Sequence, residues 1–185
     1  PCQSSAASDV YKRQQHNQLI LRGATLINST GAPPIGPVDI VIEKNIISKV
    51  QNVGYPGVPI NENRRPKLSK NGVEINCEGS YILPGFIDTH GHIGGRSQGA
   101  SPDYVFKLWM AHGITTIREP GGSLSHELKL ELKNKIEKNT IVAPRIIAFS
   151  TFNSRVQSTD EAKKWVRDNA KKGSDGIKFF GAPPE

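Results

Sequence analysis

The sequence predicts an α/β protein that holds the N-terminal half of a (β/α)8 TIM-like barrel, preceded by a strand-rich segment. Residues 84–185 alternate between strand and helix patterns, which is typical of a parallel sheet with right-handed crossovers. A doubly wound sheet has the same alternation, but His90 and His92 stand where its G-x-G-x-x-G loop would follow the first strand. This difference favours the barrel. A barrel takes about 250 residues, so the chain supplies roughly half of one.

Short strands before residue 80 are indicated by alternating apolar residues with turn residues between them. Glu43, Lys44 and Asn45 separate two of these strands, which predicts a hairpin. Residues 52–72 are rich in Gly, Pro, Asn and basic residues and predict a long loop. The strands of this segment are predicted at 18–22, 24–28, 38–42, 46–50 and 73–77.

Helix signals begin at residue 101. Ser101 and Pro102 are an N-cap and a first-turn proline, and Gly113 ends this helix. A second helix has apolar residues at positions 128, 132 and 136, and Ser158 with Glu161 forms the capping box of a third. The strands of this part are predicted at 81–88, 114–118, 145–149 and 176–180.

The chain is expected to comprise three regions. Residues 1–14 are interpreted as a non-native, adapter-derived segment, because Pro1 is not a start residue. Residues 15–80 form one domain of strands, and residues 81–185 hold strands 1 to 4 of the barrel. We expect the sequence to be an N-terminal gene fragment whose true start is missing, so it assigns no compartment.

Composition and charge narrow the classes of partner. The formal net charge is +7 and the isoelectric point is about 9.5, but the lysines and arginines are scattered and accompany no nucleic-acid motif. We therefore expect no nucleic-acid partner, and no run of about 18 apolar residues indicates a membrane span. Cys2 and Cys77 are too few for a disulfide framework. The expected partner is a small-molecule or peptidic substrate, and a homo-oligomer is compatible with the sequence.

His90 and His92 are spaced i, i+2 directly after an apolar strand. Alternate strand residues point to the same face, so we expect both imidazoles to project together. The carboxyl end of a barrel strand is where barrel enzymes place their active sites. The pair predicts a half-site for a divalent metal. Histidine ligands suit zinc, iron, manganese or cobalt, and we favour zinc.

Lys178 lies in an apolar strand roughly 90 residues after His90, a distance of about three βα units. Burial favours the neutral, nucleophilic amine of a lysine. Carbon dioxide would convert that amine to a carbamate, an anionic oxygen ligand. We predict Lys178 as a third metal ligand. The alternative is a lysine whose amine reaches the barrel mouth or pairs with a carboxylate.

Three further residues are candidates around this site. Asp88 lies two residues before His90, and we expect it to support the ligands or to pack in the barrel rather than to bind the metal. Arg118 and Glu119 end the second barrel strand. Their side chains either contact substrate or pair with a loop, and the sequence leaves both readings open.

Three segments of the chain resemble the amidohydrolase superfamily. LPGFIDTHGH at 83–92 is similar to its first-strand signature, and AHGITTIRE at 111–119 is similar to the second-strand region of imidazolonepropionase-like and prolidase-like members. GIKFF at 176–180 resembles the strand-4 segment whose lysine is carboxylated in binuclear members. The resemblance covers about residues 18–185. It implies that the strands of 15–80 belong to a small β-sandwich, to which both ends of the chain contribute in these enzymes.

The resemblance also implies an activity, that of a metal-dependent hydrolase. Such an enzyme acts on amide, cyclic amide or peptide carbon–nitrogen bonds by metal-activated hydroxide. The family places further histidines on strands 5 and 6 and a proton-shuttling aspartate on strand 8, all expected beyond Glu185. No catalytic residue is therefore assigned within the chain, and we expect the chain alone to be inactive. One or two ions are expected, and Lys178 favours two.

Two other functions stay open at this stage. A relative with the same fold but without the later ligands would act as a non-catalytic assembly or binding protein. A basic nucleic-acid-binding domain would show an affinity for DNA that falls steeply with salt.

Overall fold

The computed structural model describes residues 16–121, 124–152 and 155–181, and it divides into two compact units after Pro84. Each unit contains a sheet of its own. Within the described residues, no helix has both the length and the apolar character needed to cross a membrane.

The first unit is built around a mixed five-stranded sheet. The strand order is β3-β2-β1-β4, and β5 also pairs with β1. β1 is antiparallel to β2 and parallel to both β4 and β5, and the hairpin predicted between β2 and β3 is confirmed. The strands are β1 Gln18–Leu26, β2 Ile35–Glu43, β3 Ile46–Asn52, β4 Val73–Asn76 and β5 Tyr81–Ile82. A short 3-10 turn at Glu62–Arg64 lies within the predicted loop.

β1 is one strand with a local irregularity, so the prediction of two strands at 18–22 and 24–28 is wrong. Its register against β2 shifts between Leu21 and Ala24. Gly23 has a φ of 73°, and its N–H donates to Oδ1 of Asp39 at 2.8 Å. Arg22 donates to Oδ2 of the same buried carboxylate at 2.8 Å. Asp39 on β2 thus holds both residues of the irregular segment, and the strand continues through it.

The predicted strand at 81–88 is two strands that belong to different sheets. β5 pairs with β1, whereas β6 Phe86–Asp88 pairs with β7 Ile114–Glu119. Pro84 lies between β5 and β6 and lacks the N–H that a continuous ladder requires. The first sheet therefore ends before the second begins, and the single-strand prediction is wrong.

The second unit alternates strands and helices from Gly85 onward. Each helix starts after a serine, at 101, 125 and 158, whose hydroxyl accepts a backbone N–H from the third residue of the helix. β9 ends at Lys178, two residues earlier than predicted. The elements are β6, α1 Pro102–Ala111, β7, α2 His126–Glu137, β8 Arg145–Thr151, α3 Thr159–Lys171 and β9 Gly176–Lys178.

The four strands of this unit are parallel and lie in chain order, β6-β7-β8-β9. A doubly wound sheet reverses its strand order at the middle, whereas a barrel adds each new strand beside the last. The observed order therefore confirms the predicted half-barrel and excludes the doubly wound alternative for these strands.

The core of the second unit joins its sheet to its helices. Phe106 on α1, Ile117 on β7, and Ile146 and Ala148 on β8 are buried together with Ile93, which lies in the loop after β6. Ile93 follows His92 directly. The loop that carries both histidines is therefore anchored in the core at one end.

Candidate metal centre

The two predicted histidine ligands lie in the loop that follows β6, not on the strand. β6 ends at Asp88, and residues 89–90 form a turn. Strand alternation is therefore the wrong reason to expect the imidazoles to project together. The rings nevertheless meet, with centroids 5.6 Å apart and planes inclined at 79°.

Asp88 shapes the turn that leads into His90. Its Oδ1 accepts the backbone N–H of His90 at 2.8 Å, which closes an Asx turn. The carboxylate thus acts on the backbone of the loop.

The separation of the two rings fits a shared metal ion. With Zn–N distances of about 2.1 Å and tetrahedral angles, two imidazole centroids that share a zinc ion lie roughly 5 Å apart. The observed separation is 5.6 Å. Among the described residues, no group of three or more His, Cys, Asp and Glu side chains is placed to hold a metal. His90 and His92 therefore remain a pair of predicted ligands whose rings lie close together.

Glu119 is the last residue of β7, and its side chain forms hydrogen bonds with the loop that carries the histidines. Its side chain is buried, and its Oε1 lies 3.2 Å from Nδ1 of His92. The same oxygen accepts the N–H of Gly121 at 2.9 Å, and Oε2 accepts the N–H of Ile93 at 3.0 Å. The side chain of Glu119 therefore contacts the histidine loop, and its contact with substrate stays a prediction.

Arg118 ties the same loop to β7. Its Nε donates to the carbonyl oxygen of Thr89 at 2.5 Å, and its own carbonyl oxygen accepts the N–H of Gly91 at 3.2 Å. The guanidinium lies 5.4 Å from the ring centroid of Phe149. Like Glu119, Arg118 thus contacts a loop, and the two residues together secure residues 89–93.

Lys178 stands at the carboxyl end of β9 and is partly buried. Its Nζ lies 5.3 Å from the ring centroid of Phe180. A Cβ added at Gly121 would lie 3.9 Å from Cγ of Lys178, so the lysine stem passes the segment that follows Glu119. The three predicted ligands therefore all lie at the carboxyl ends of barrel strands.

Two contacts of His92 were not predicted from the sequence. One is the contact with Glu119, and the other is a hydrogen bond of 3.3 Å from Nε1 of Trp109 to the carbonyl oxygen of His92. A usable signal existed for the first contact. Glu119 is an acidic residue at the carboxyl end of a β-branched strand, one strand away from the histidines.

Comparisons with known proteins bear on the class of this fold. No protein-family model matches the chain. "Adenine deaminase 2" of Desulfotalea psychrophila is 48% identical over 44 residues, which is 24% of this chain and 7% of that protein. A solved prolidase complexed with N-methylphosphonate-L-proline matches with a TM-score of 0.61 and 20% identity, over 88% of this chain and 46% of that one. A solved amidohydrolase gives a TM-score of 0.62 at 20% identity and the same coverage.

The chain has the fold of solved proteins named as a prolidase and an amidohydrolase, which is the fold that the resemblance of its three sequence segments implies. It spans less than half the length of the solved proteins that it matches. These similar proteins are named as an adenine deaminase, a prolidase and an amidohydrolase.

Proposed function

We propose that this chain provides the metal-binding half-site of a hydrolase that cleaves carbon–nitrogen bonds of amides, cyclic amides or peptides. The observation that carries the proposal is the pair of imidazoles, 5.6 Å apart, in the loop at the carboxyl end of β6. Barrel enzymes place their active sites at this edge. The similarity to a prolidase and to an adenine deaminase supports the same class of bond.

His90, His92 and Lys178 would hold the metal, with zinc as the favoured ion. The amine nitrogen of Lys178 would bond to the carbon of CO2 and lose a proton to water, and the resulting carbamate would offer an anionic oxygen. A bound divalent ion supplies Lewis acidity to a substrate carbonyl and acidifies a water molecule. A bridging Lys178 favours a site with two ions, which is peptidase-like rather than deaminase-like.

Asp88, Arg118 and Glu119 would maintain the loop rather than react. Asp88 and Arg118 bind backbone atoms of residues 89–91, and Glu119 binds His92 and Ile93. These contacts would hold the backbone of the loop and the ring of His92 in place before any substrate arrives.

The metal content of the complete gene product tests the ligand assignment. We expect two zinc ions per chain by elemental analysis, and about one ion in Lys178→Ala. Lys164→Ala is the matched control, because Lys164 is an exposed α3 residue that pairs with Asp168. Two ions retained in Lys178→Ala would contradict a bridging lysine. A gene product that binds no zinc would contradict the hydrolase and favour the non-catalytic alternative.

Turnover tests the reaction class. The complete gene product should hydrolyse members of a panel of Xaa-Pro dipeptides, cyclic amides and adenine, and EDTA should abolish that activity. The 185-residue chain alone should show no turnover, because no group of three or more His, Cys, Asp and Glu side chains among its described residues is placed to hold a metal. Metal-dependent turnover by the 185-residue chain would overturn that expectation.

A further inference from the structure

We propose that Glu119 is a positioning residue that fixes His92 in the tautomer with its proton on Nδ1, so that Nε2 is the nitrogen left to bind a metal ion. The tautomer follows from the contacts of the side chains alone. Its use for metal binding rests on the proposed function.

The hydrogen bond between the two side chains runs from His92 to Glu119. Both oxygens of Glu119 already accept backbone N–H groups, from Gly121 on Oε1 and from Ile93 on Oε2. A backbone N–H can only donate, so both oxygens act as acceptors. An ionised carboxylate is an acceptor only and has no proton to offer His92. His92 Nδ1, 3.2 Å from Oε1, is therefore the donor.

The carboxylate of Glu119 is buried, with 1% of the residue exposed. Burial of a carboxylate is costly unless donors or a cation compensate for the lost water. Lys129 on α2 is 2% exposed, and its Nζ donates to the carbonyl oxygen of Phe149 at 2.8 Å. Burial lowers the pKa of Lys129, and the charge of Glu119 opposes this shift. The buried carboxylate of Glu119 thus has two backbone N–H donors, from Gly121 and Ile93, and the charge of Lys129 to compensate for the lost water.

The orientation of the His92 ring depends on the peptide group beside it and on the contact of Nδ1. The peptide group that follows the His92 side chain is held at both of its polar atoms, because Trp109 donates to the His92 carbonyl oxygen and the Ile93 N–H donates to Glu119. With its backbone held and Nδ1 bonded, the ring has one nitrogen lone pair left, on Nε2. Carboxylate partners of this kind orient metal-binding histidines and typically contribute about 10- to 100-fold to metal affinity.

Nitrogen-15 NMR of the metal-free 185-residue chain tests the tautomer directly. We expect His92 to show a protonated Nδ1 and an unprotonated Nε2, and Glu119→Gln to convert this to a mixture of tautomers. Gln can present an oxygen on one side only, so it cannot serve His92, Gly121 and Ile93 together. Glu131→Gln is the control, because Glu131 is an exposed α2 carboxylate that pairs with Lys135, and it should leave the His92 signals unchanged.

Zinc affinity of the complete gene product provides the second readout. Competition with a chromophoric chelator should show zinc binding weakened about 10- to 100-fold by Glu119→Gln and unchanged by Glu131→Gln. Glu119→Asp, which keeps the carboxylate, should recover part of the affinity and of the Nδ1–H tautomer.

The outcomes separate this inference from the proposed function. A protonated Nε2 on His92 in the wild-type chain overturns the inference whether or not zinc binds, and it needs no variant that folds. A protonated Nδ1 in a protein that never binds zinc supports the positioning by Glu119 and contradicts the proposed function. An unchanged tautomer and zinc affinity in Glu119→Gln would also overturn the inference.

Discussion

Arg118 donates a hydrogen bond of 2.5 Å from Nε to the carbonyl oxygen of Thr89, which joins the end of β7 to the turn before His90. The same guanidinium lies over the ring of Phe149 on β8. The position of the histidine turn therefore depends on the Arg118 side chain of the second barrel strand. That side chain in turn packs against Phe149 of the third barrel strand.

Replacement of Arg118 should loosen the turn and weaken zinc binding. Arg118→Ala removes the donor to Thr89, so we expect zinc affinity of the complete gene product to fall about 10-fold. Arg145→Ala is the control, because Arg145 is exposed at the amino end of β8, and it should have no effect on affinity. Chelator competition measures both. An equal loss in the two variants would show that the Thr89 contact has no specific role.

The buried ion pair of the first unit should dominate the stability of its sheet. Asp39 is fully buried and binds both Arg22 and the N–H of Gly23. Loss of one partner from such a pair typically costs about 3–5 kcal/mol, so Asp39→Asn should lower the free energy of unfolding by about that amount.

Urea unfolding measures this effect, and Glu74→Gln is its control. Glu74 also binds Arg22, but its side chain is 51% exposed, so we expect a loss below about 1 kcal/mol. Comparable losses in Asp39→Asn and Glu74→Gln would show that burial of Asp39 is not what makes the pair important.

The sequence predicted those parts of the fold that depend on neighbouring residues in the chain. The serines at 101 and 158 marked helix starts, because a cap acts over three residues. The break at Pro84 was missed because residues 81–88 have continuous strand character, and the change of sheet depends on partners elsewhere in the chain. Asp39 was missed for the same reason, because its role depends on the register between β1 and β2.

The sequence predicted only part of the candidate site. His90 and His92 were identified from their spacing, although they lie in the loop after β6 rather than on a strand. The link between His92 and Glu119 spans 27 residues and exists because β6 and β7 are adjacent and parallel. Side-chain pairing of this kind follows from the packed sheet, and one sequence without its fold does not specify it.

Acidification should destabilise the packing around His126. The ring lies within hydrogen-bond reach of Ser150 Oγ, in a region lined by α2 and α3. Burial is the largest cause that lowers the pKa of His126, and the positive charges of Lys129 and Lys172 lower it further. The negative charge of Glu127 acts in the opposite direction. The folded chain therefore disfavours the charged imidazole more than the unfolded chain does.

The sign of the pH dependence follows from this difference. The contribution of His126 to stability is present above its ordinary pKa of about 6.5 and is lost as the pH falls toward the lower pKa of the folded state. Urea midpoints should thus fall between about pH 7.5 and about pH 5.5, and His126→Gln should show a shallower fall. An identical pH slope in His126→Gln would contradict a role for this histidine.

Gly121 should not tolerate a side chain, because its positive φ disfavours one and neighbouring side chains occupy the space where a Cβ would lie. Its φ is 115°, and a Cβ would press on Oγ1 of Thr151 and approach Cγ of Lys178. We expect Gly121→Ala to lower the free energy of unfolding by about 3 kcal/mol or more. Gly57→Ala is matched for strain, because Gly57 also has a positive φ but open space around it. Gly57→Ala should cost about 1 kcal/mol.

The same pair of variants also probes Lys178. A methyl group at residue 121 would displace Thr151 or the lysine stem, so zinc content of the complete gene product should fall from two ions toward one in Gly121→Ala and stay at two in Gly57→Ala. Because Gly121 donates its N–H to Glu119, the His92 tautomer is measured in the same variant. A lower zinc content with an unchanged tautomer assigns the loss to Lys178. Unchanged zinc content despite lower stability would show that the position of Lys178 does not matter for the metal.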